Sequence, residues 1–355
     1  MLAGDHLNSA NDLGDGLPRF PAGTTSLLSK FLTQSVWDKY KNKSDKFGFT
    51  FKQCIFSGCK NLDSGIGVYA GSHDAYYAFS DFFDKIIEDY HGHKKTDKHI
   101  CDVDYRNLNC PDFPSDEDAM ILSTRIRVAR NMAAYPLGSA VTFGQRKEIE
   151  QHVINACNKF DGDLKGKYYS LETMTPEDQK QLIADHFLFK KGDRFLEAAA
   201  LNRDWPSGRG IFHNDNKTFL VWVNEEDQLR IISMQKGSNI REVFQRLSVA
   251  ADKIENEAAF AKDDHLGYIT SCPTNLGTGL RASVHIKLPK LGARKVEFEE
   301  IASKYHVQIR GIHGEHSESD DGIYDISNKR RLGRNEVQLV QDMYDGVKAM
   351  INREK

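Results

Sequence analysis

The sequence predicts an α+β protein, with a small all-α N-terminal domain followed by a larger domain holding a mainly antiparallel β-sheet flanked by α-helices. Before residue 91 apolar residues recur at helical spacing. Beyond a polar, proline-containing segment they alternate with period two, in short runs joined by turns. The chain has 355 residues, more than one compact core usually holds, so two domains are expected.

Residues 1–24 are rich in Gly, Asn, Asp and Pro and read as a flexible arm. Over 26–41, Leu27, Leu28, Phe31, Leu32, Val36, Trp37 and Tyr40 fall three and four apart. Tyr76, Phe79, Phe82, Phe83, Ile86 and Ile87 do the same, and both runs predict amphipathic helices of a domain over 25–100. The polar stretch 91–117, with Pro111 and Pro114, supplies a linker placed at 101–118. A larger domain over 119–355 follows. Over 121–129, Leu122, Thr124, Ile126 and Val128 alternate with Ser123, Arg125 and Arg127, so two arginines share one face of a strand. Residues 218–223 and 229–235 flank the acidic turn N-E-E-D-Q and read as a hairpin. Around 282–288, Arg281, Ser283, His285 and Lys287 alternate with Ala282, Val284, Ile286 and Leu288, and 306–310 is a further short strand. Helical stretches at 145–159, 239–251 and 336–351 lie between the strands, which suits an antiparallel α+β domain.

Composition narrows the function. With 39% hydrophobic and 28% charged residues and no long apolar run, the chain reads as soluble and globular, with no membrane partner. A net charge of -3 gives no global attraction for nucleic acid, so any anion site must be local. The first residues carry Asp5, Asp12 and Asp15 without an apolar segment, unlike a targeting peptide, and cytoplasm is the expected compartment. Six scattered cysteines suit reduced thiols. His91, His93, His99, Cys101 and Cys110 invite a zinc reading, but their spacing matches no familiar finger and Lys94, Lys95 and Lys98 intervene. A polar surface linker is preferred.

The stretch SCPTNLGTGLR at 271–281, followed by Ala282, satisfies G-x-G-x-x-A. A dinucleotide fingerprint needs a helix directly after its glycines, and here a strand follows. Walker A and the protein-kinase H-R-D and D-F-G motifs do not occur. Arg125, Arg127, Arg230, Arg281 and Arg310 all fall at or near strand edges of one sheet. Their joint use is a polyphosphate clamp, although any one alone could be a surface ion pair. Glu225, Glu226 and Asp227 cluster in the acidic turn, and Glu315 lies among small and polar residues at 311–322. These carboxylates could serve Mg²⁺ or a cationic substrate, or be solvated. Cys272 could be a nucleophile, a thiolate facing a cation, or an inert thiol, and the hydroxyls of Ser271 and Thr274 could lower its pKa.

Taken together these residues resemble the phosphagen (guanidino) kinases, most of all their arginine-specific members. The likeness rests on C-P-T-N-L-G-T at 272–278, S-T-R-I-R-V-A-R-N at 123–131, N-E-E-D-Q-L-R at 224–230, W-P-S-G-R-G-I-F-H at 205–213 and R-A-S-V-H at 281–285, and it runs from about residue 26 onward. It implies reversible phosphoryl transfer from MgATP to a guanidino nitrogen, giving ADP and an N-phosphate. Implied nucleotide-binding residues are Ser123, Thr124, Arg125, Ile126, Arg127, His186, Arg230, Arg281, Ala282, Ser283, Val284, His285, Arg310, Gly311, Ile312, His313, Gly314, Glu315 and Asp325. The five arginines would clamp the phosphates, with His186 and His285 beside the adenine. Mg²⁺ is expected on the nucleotide and water, near Glu225 and Asp227, with no direct protein ligand.

The stretch N-L-D-S-G-I-G-V-Y at 61–69 is similar to the family's short specificity loop, so Ser64, Gly65, Ile66, Gly67, Val68 and Tyr69 are expected to hold the carboxylate and amine of an amino acid. Tyr90 and Glu315 match the arginine-specific pattern. Glu226, Cys272 and Glu315 are the implied catalytic residues, gripping the guanidinium without a covalent intermediate, and Asp63 and Arg194 are expected to pair across the domains. L-Arginine is the implied substrate, with taurocyamine, lombricine, glycocyamine or creatine as alternatives. A monomer is expected, and a homodimer is the alternative. A protein-arginine kinase fits less well, because a loop for a small free substrate would be unnecessary there.

Overall fold

The computed structural model describes residues 10–311 and 321–355. The first expected helix resolves into two, Leu27–Phe31 and Gln34–Tyr40, because the Thr33 hydroxyl accepts the Val36 N–H and starts a new helix. The second run divides at Phe79 into Ala75–Ala78 and Ser80–His91. Between them, Phe51–Lys60 opens on a reciprocal cap. Gln53 N–H donates to the Thr50 hydroxyl at 3.1 Å, and Thr50 N–H donates to the Gln53 side chain at 2.8 Å. Trp37, Tyr40, Phe51, Phe79, Phe82 and Phe83 weld these helices into one aromatic core. That core also takes in Leu137, Ile269, Leu276 and Leu332 from the larger part of the chain.

Among the described residues ten strands follow: β1 (Ile121–Arg130), β2 (Gly166–Ser170), β3 (Gly210–Asn214), β4 (Phe219–Val223), β5 (Leu229–Lys236), β6 (Lys262–Asp263), β7 (Gly267–Tyr268), β8 (Leu280–Lys287), β9 (Val307–Gly311) and β10 (Ile323–Asn328). Eight of them form one antiparallel sheet in the order β2-β3-β4-β5-β1-β8-β10-β9, and β6 pairs only with β7. The expected α+β architecture is present. On one face of the sheet Ile126, Val128, Val221, Ile231, Ala282 and Val284 are buried beneath the helices Phe143–Cys157, Ile240–Glu257 and Glu336–Glu354. The opposite face carries a smaller cluster around Leu220, Trp222 and Ile232, and leaves a cleft open.

Several local expectations differ from the structure. Within the expected flexible arm, Ala10–Leu13 is a 3-10 turn packed on Phe56 and Ala198, and the Asp15 carbonyl accepts the Trp37 indole N–H at 2.8 Å. The stretch 91–117 is no surface tether, since Leu108, Cys110 and Phe113 are buried in the sheet's core and His93 and His99 are buried as well. Nor do its histidines converge on zinc. His91 Nε2 meets the Pro273 carbonyl at 2.8 Å, and His93 Nε2 meets that of His265 at 2.7 Å. His99 and Cys101 do approach Glu336, with ligand atoms within 4.8 Å of one another. However, His99 Nδ1 accepts the Gly333 N–H at 2.8 Å, which keeps the proton on Nε2, the wrong tautomer for a metal there. All six cysteines are free. Among the described residues no helix is long and apolar enough to cross a membrane.

Candidate active site

Strand register assembles the arginines. On β1 the odd positions Ser123, Arg125 and Arg127 are half-buried on the open face, while Thr124, Ile126 and Val128 point to the core. Arg127 lies directly opposite Arg281, Ser123 opposite His285, and Ala129 opposite Arg230. His285 is opposite Asp325, which is opposite Arg310. All five arginines therefore share one face of four different strands. Asp325 accepts from Arg281 Nη2 at 2.6 Å and sits 3.1 Å from His285 Nε2, fixing both. The Trp222 ring packs under two of the clamp, 5.9 Å from the Arg125 guanidinium and 5.2 Å from that of Arg230.

These cations lack enough anions. Arg125 Nε, Arg127 Nη1, Arg281 Nε and Arg310 Nε are buried with no hydrogen-bond partner. Burial, then the charges of Arg230 and Arg281, lowers Arg125 to about 10, and Arg127 is driven well down by burial and then by Arg230. Arginine keeps its proton in proteins, so this unfavourable crowding becomes affinity for an incoming anion. The face opens into a cavity of about 810 Å³ that also receives His186, Phe187, Lys217, Met234 and Lys236. Its size and mix of apolar wall and cationic floor suit a nucleotide with a polyphosphate tail.

A second, anionic subsite adjoins the first. The acidic turn closes where Asn224, at φ +58°, donates its N–H to the Gln228 carbonyl at 2.8 Å, while buried Arg209 Nε donates to the Asn224 carbonyl at 3.1 Å. Asp227 Oδ1 accepts from Asn131 Nδ2 and from the Ser271 N–H, both at 2.8 Å, so it ties the acidic turn to the Cys272 loop. Burial, followed by the charge of Asp227, pushes Glu226 up to about 7. Burial and then Glu226 push the Cys272 thiol up to about 12.

The Cys272 result corrects the expectation of a thiol acidified by two hydroxyls. Only Thr274 Oγ1 reaches Sγ, at 3.1 Å, whereas the Ser271 hydroxyl donates to the Glu226 carbonyl at 3.2 Å. Without a cation, burial wins. A cation bound here would favour the charged form of both Cys272 and Glu226.

The loop of residues 64–69 closes this subsite from the helical side. It is pinned by backbone bonds from Leu27 N to Gly65 O (3.0 Å), Leu28 N to Ile66 O (3.0 Å) and Tyr69 N to Cys54 O (2.9 Å). Gly67 has φ +83° and passes 3.1 Å from the Gly58 Cα at its would-be Cβ, an approach that suits only glycine. Ala70 N then donates to the Ser271 carbonyl at 2.9 Å, joining this loop to the Cys272 loop. The Tyr69 phenol is raised far above its usual range by burial and then by Cys272. Asp63 and Arg194 make the expected cross-domain pair, two parallel hydrogen bonds with Nη1 to Oδ1 at 2.7 Å, and Asn61 Oδ1 accepts from the same Nη1 at 3.1 Å.

Not every expected site residue faces the cleft. The side chains of Ile126, Ala282 and Val284 lie in the core on the far face, and Val68 lies in the helical core, so only their backbones can meet a ligand. Gly311 lines the cavity beside the arginines, but Ile312, His313, Gly314 and Glu315 lie outside the described residues. Tyr90 is 48% exposed and lines a different cavity. Asp227 and Glu225 are less open to a metal than expected, Asp227 Oδ1 being held by Asn131 and Ser271 and Glu225 lying 3.5 Å from Arg230. Sequence reasoning missed Trp222, Met234 and Lys217. Met234 and Lys236 share parity with Arg230 on β5, a signal that was available. It also missed Arg331, whose Nη1 donates to the Thr274 carbonyl at 3.3 Å and bonds Asn275 Oδ1.

Comparison with known proteins gives the same picture. The model of the ATP:guanido phosphotransferase C-terminal catalytic domain matches residues 148–355, and that of the N-terminal domain matches 23–88. The chain is 53% identical over 351 residues to an arginine kinase of Anthopleura japonica, covering 98% of this chain and 49% of that protein, so it spans about half of that relative. It is 52% identical over 343 residues to arginine kinase Lit v 2 of Penaeus vannamei, covering 96% of each. A crystal structure of lombricine kinase superposes with a TM-score of 0.90 at 37% identity, over 98% of this chain and 95% of the other. A catalytic-domain match across more than half the chain, with relatives more than half identical along nearly all of it, establishes that this protein belongs to the ATP:guanido phosphotransferase family.

Proposed function

We propose that the protein transfers the γ-phosphoryl group of ATP reversibly to the guanidino group of L-arginine, giving ADP and phospho-L-arginine, as a cellular energy buffer. One observation carries this reading: a face with four orphaned, buried guanidinium nitrogens abuts a pocket whose Glu226 and Cys272 lack a cation. The names of the relatives from Anthopleura japonica and Penaeus vannamei support arginine as the acceptor.

A guanidinium is a poor nucleophile, so the chain must fix one of its nitrogens in line with the γ-phosphorus. Glu226 would accept two functions, holding the cation by a charge-assisted hydrogen bond and taking the proton released as the N–P bond forms. Cys272 would face the other guanidino nitrogen without bonding covalently. Ser64, Gly65 and Tyr69 would receive the carboxylate and amine, and Glu315 would complete the grip on the guanidinium. Across the cleft, Arg125, Arg127, Arg230, Arg281 and Arg310 would stabilise charge spreading over the transferring oxygens. Mg²⁺ would be carried by the nucleotide's phosphates and water and would supply further neutralisation of that charge. The chain would act in the cytoplasm as a monomer.

The alternative is a kinase for another small guanidine, to which the 37% identity with lombricine kinase lends weight. ADP release coupled to an indicator, with L-arginine, creatine, glycocyamine, taurocyamine and lombricine each offered with MgATP, decides between them. Turnover on arginine above all others is expected. Turnover on creatine with none on arginine would sink the substrate assignment.

A further inference from the structure

A cavity of about 730 Å³ lies outside the site described above and shares no lining residue with the nucleotide cavity. Its walls are basic. Lys98, Lys329, Arg330, Arg331 and Arg334 line it, against Asp97 as the one acidic lining residue among the described residues. Arg330 is tied to Asp342 at 2.8 Å, but Lys98, Lys329 and Arg334 make no ion pair with any described residue. In a chain of net charge -3, these unpaired cations concentrate positive potential around one cavity and favour an anion there.

Two of the lining residues reach through to the guanidine subsite. Arg331 Nη1 donates to the Thr274 carbonyl and to Asn275 Oδ1, and His91 Nε2 donates to the Pro273 carbonyl at 2.8 Å. The turn just after Cys272 is therefore held from the cavity side. Arg331 is half-buried, and burial, followed by the charges of Arg310 and Arg230, lowers its pKa, while its bonds to Thr274 and Asn275 tie it to the turn beside Cys272.

We propose that this cavity is a second anion site, taking a phosphate-bearing small molecule, and that its occupancy is coupled to guanidine binding through Arg331 and His91. An anion between Lys329, Arg334 and Lys98 draws on the Arg331 guanidinium as well, loosening or tightening its hold on Thr274 and Asn275 and so the placement of the Cys272 thiol. Phosphate in this cavity and arginine in the guanidine subsite would then share one element, the Pro273–Asn275 turn. The coupling rests on the reading of Cys272 as a guanidine contact, whereas the anion site itself does not.

The test uses ¹⁵N-labelled enzyme with MgADP present throughout, titrated separately with orthophosphate and with glycerol 3-phosphate. The Gly333 and Arg334 amides should shift saturably, and tighter binding of one probe tells whether a free ion or an ester is preferred. Lys329→Glu together with Arg334→Glu should weaken the binding at least about tenfold, because two attractive charges become repulsive, while basal turnover stays near wild type. In wild type, phosphate should change KM for arginine; in the double variant it should not. Equal affinity in wild type and double variant would overturn the site, as would shifts that vanish in Arg281→Lys but survive in the double variant, since that would put phosphate on the clamp alone. An unchanged KM with intact, variant-sensitive shifts would overturn the coupling and leave the catalytic assignment untouched.

Discussion

Binding of L-arginine should release protons, in a number that falls with pH as Glu226 dictates. In the free protein Glu226 is lifted from about 4.5 to about 7 by burial and then by Asp227. A carboxyl with that pKa is about 0.8 protonated near pH 6.5 and about 0.1 protonated near pH 8. A guanidinium beside it demands the carboxylate, so the proton must leave on binding. The release should therefore drop by about 0.7 proton per arginine between those two pH values. Cys272, lifted to about 12, is a thiol at both, so its contribution is a constant offset: none if it stays a thiol against the guanidinium, one if it ionises.

Calorimetric titration of arginine into enzyme saturated with MgADP, repeated in buffers of different ionisation enthalpy, counts these protons. Glu226→Gln should flatten the pH dependence and keep the offset. A wild-type count that is flat across this range, or net proton uptake, would refute the placement of Glu226 against the guanidinium. The same shift has a stability sign. A carboxyl raised in the folded state favours folding below its unfolded value and loses that advantage as pH rises from about 4.5 through 7, so Glu226→Gln should equal wild type in acid. By pH 8 it should exceed wild type by up to about 3 kcal/mol in urea unfolding.

Arg127→Met should lower turnover by about 10³ or more, the worth of an arginine in phosphoryl transfer, while leaving the melting temperature unchanged or higher, because it relieves repulsion from Arg230. Cys272→Ser should lower turnover, and intact-mass spectra of wild type during turnover should show no phosphocysteine; a species forming and decaying at the turnover rate would reverse that role. Asp63→Asn removes an exposed pair with Arg194, so urea unfolding should barely move. Small-angle scattering with both substrates should show a more open particle, and closure equal to wild type would deny the pair a part in bringing the domains together.

Much of this fold could be read directly from alternation. On β1 and β8, polar and apolar residues take turns cleanly, because one face meets helices and the other lines the open cleft. β10 escaped notice because it opens beside Gly322 and carries Asp325 mid-strand, a residue disfavoured there by propensity and present for its bonds to Arg281 and His285. β2 pairs on one side only, and its alternation over five residues is too short to stand out. The split at Thr33 was hidden because a cap competes with an apolar period that continues through it. In the site, residue types separated the cationic sheet face from the acidic turn. The upward shift of Cys272 could not be foreseen, since it depends on burial and on where the Ser271 hydroxyl turns.

The helical core includes Ile269 and Leu276, which bracket the Cys272 loop, and Ala70 is bonded to Ser271. The arginine face is instead built on the sheet, whose own core is separate. On the proposed function, heat that softens the aromatic cluster around Phe51 and Phe82 should blunt recognition of the amino acid first, leaving a protein that still captures nucleotide. Inactivation would then begin as a loss of selectivity for the acceptor, well before the molecule as a whole comes apart.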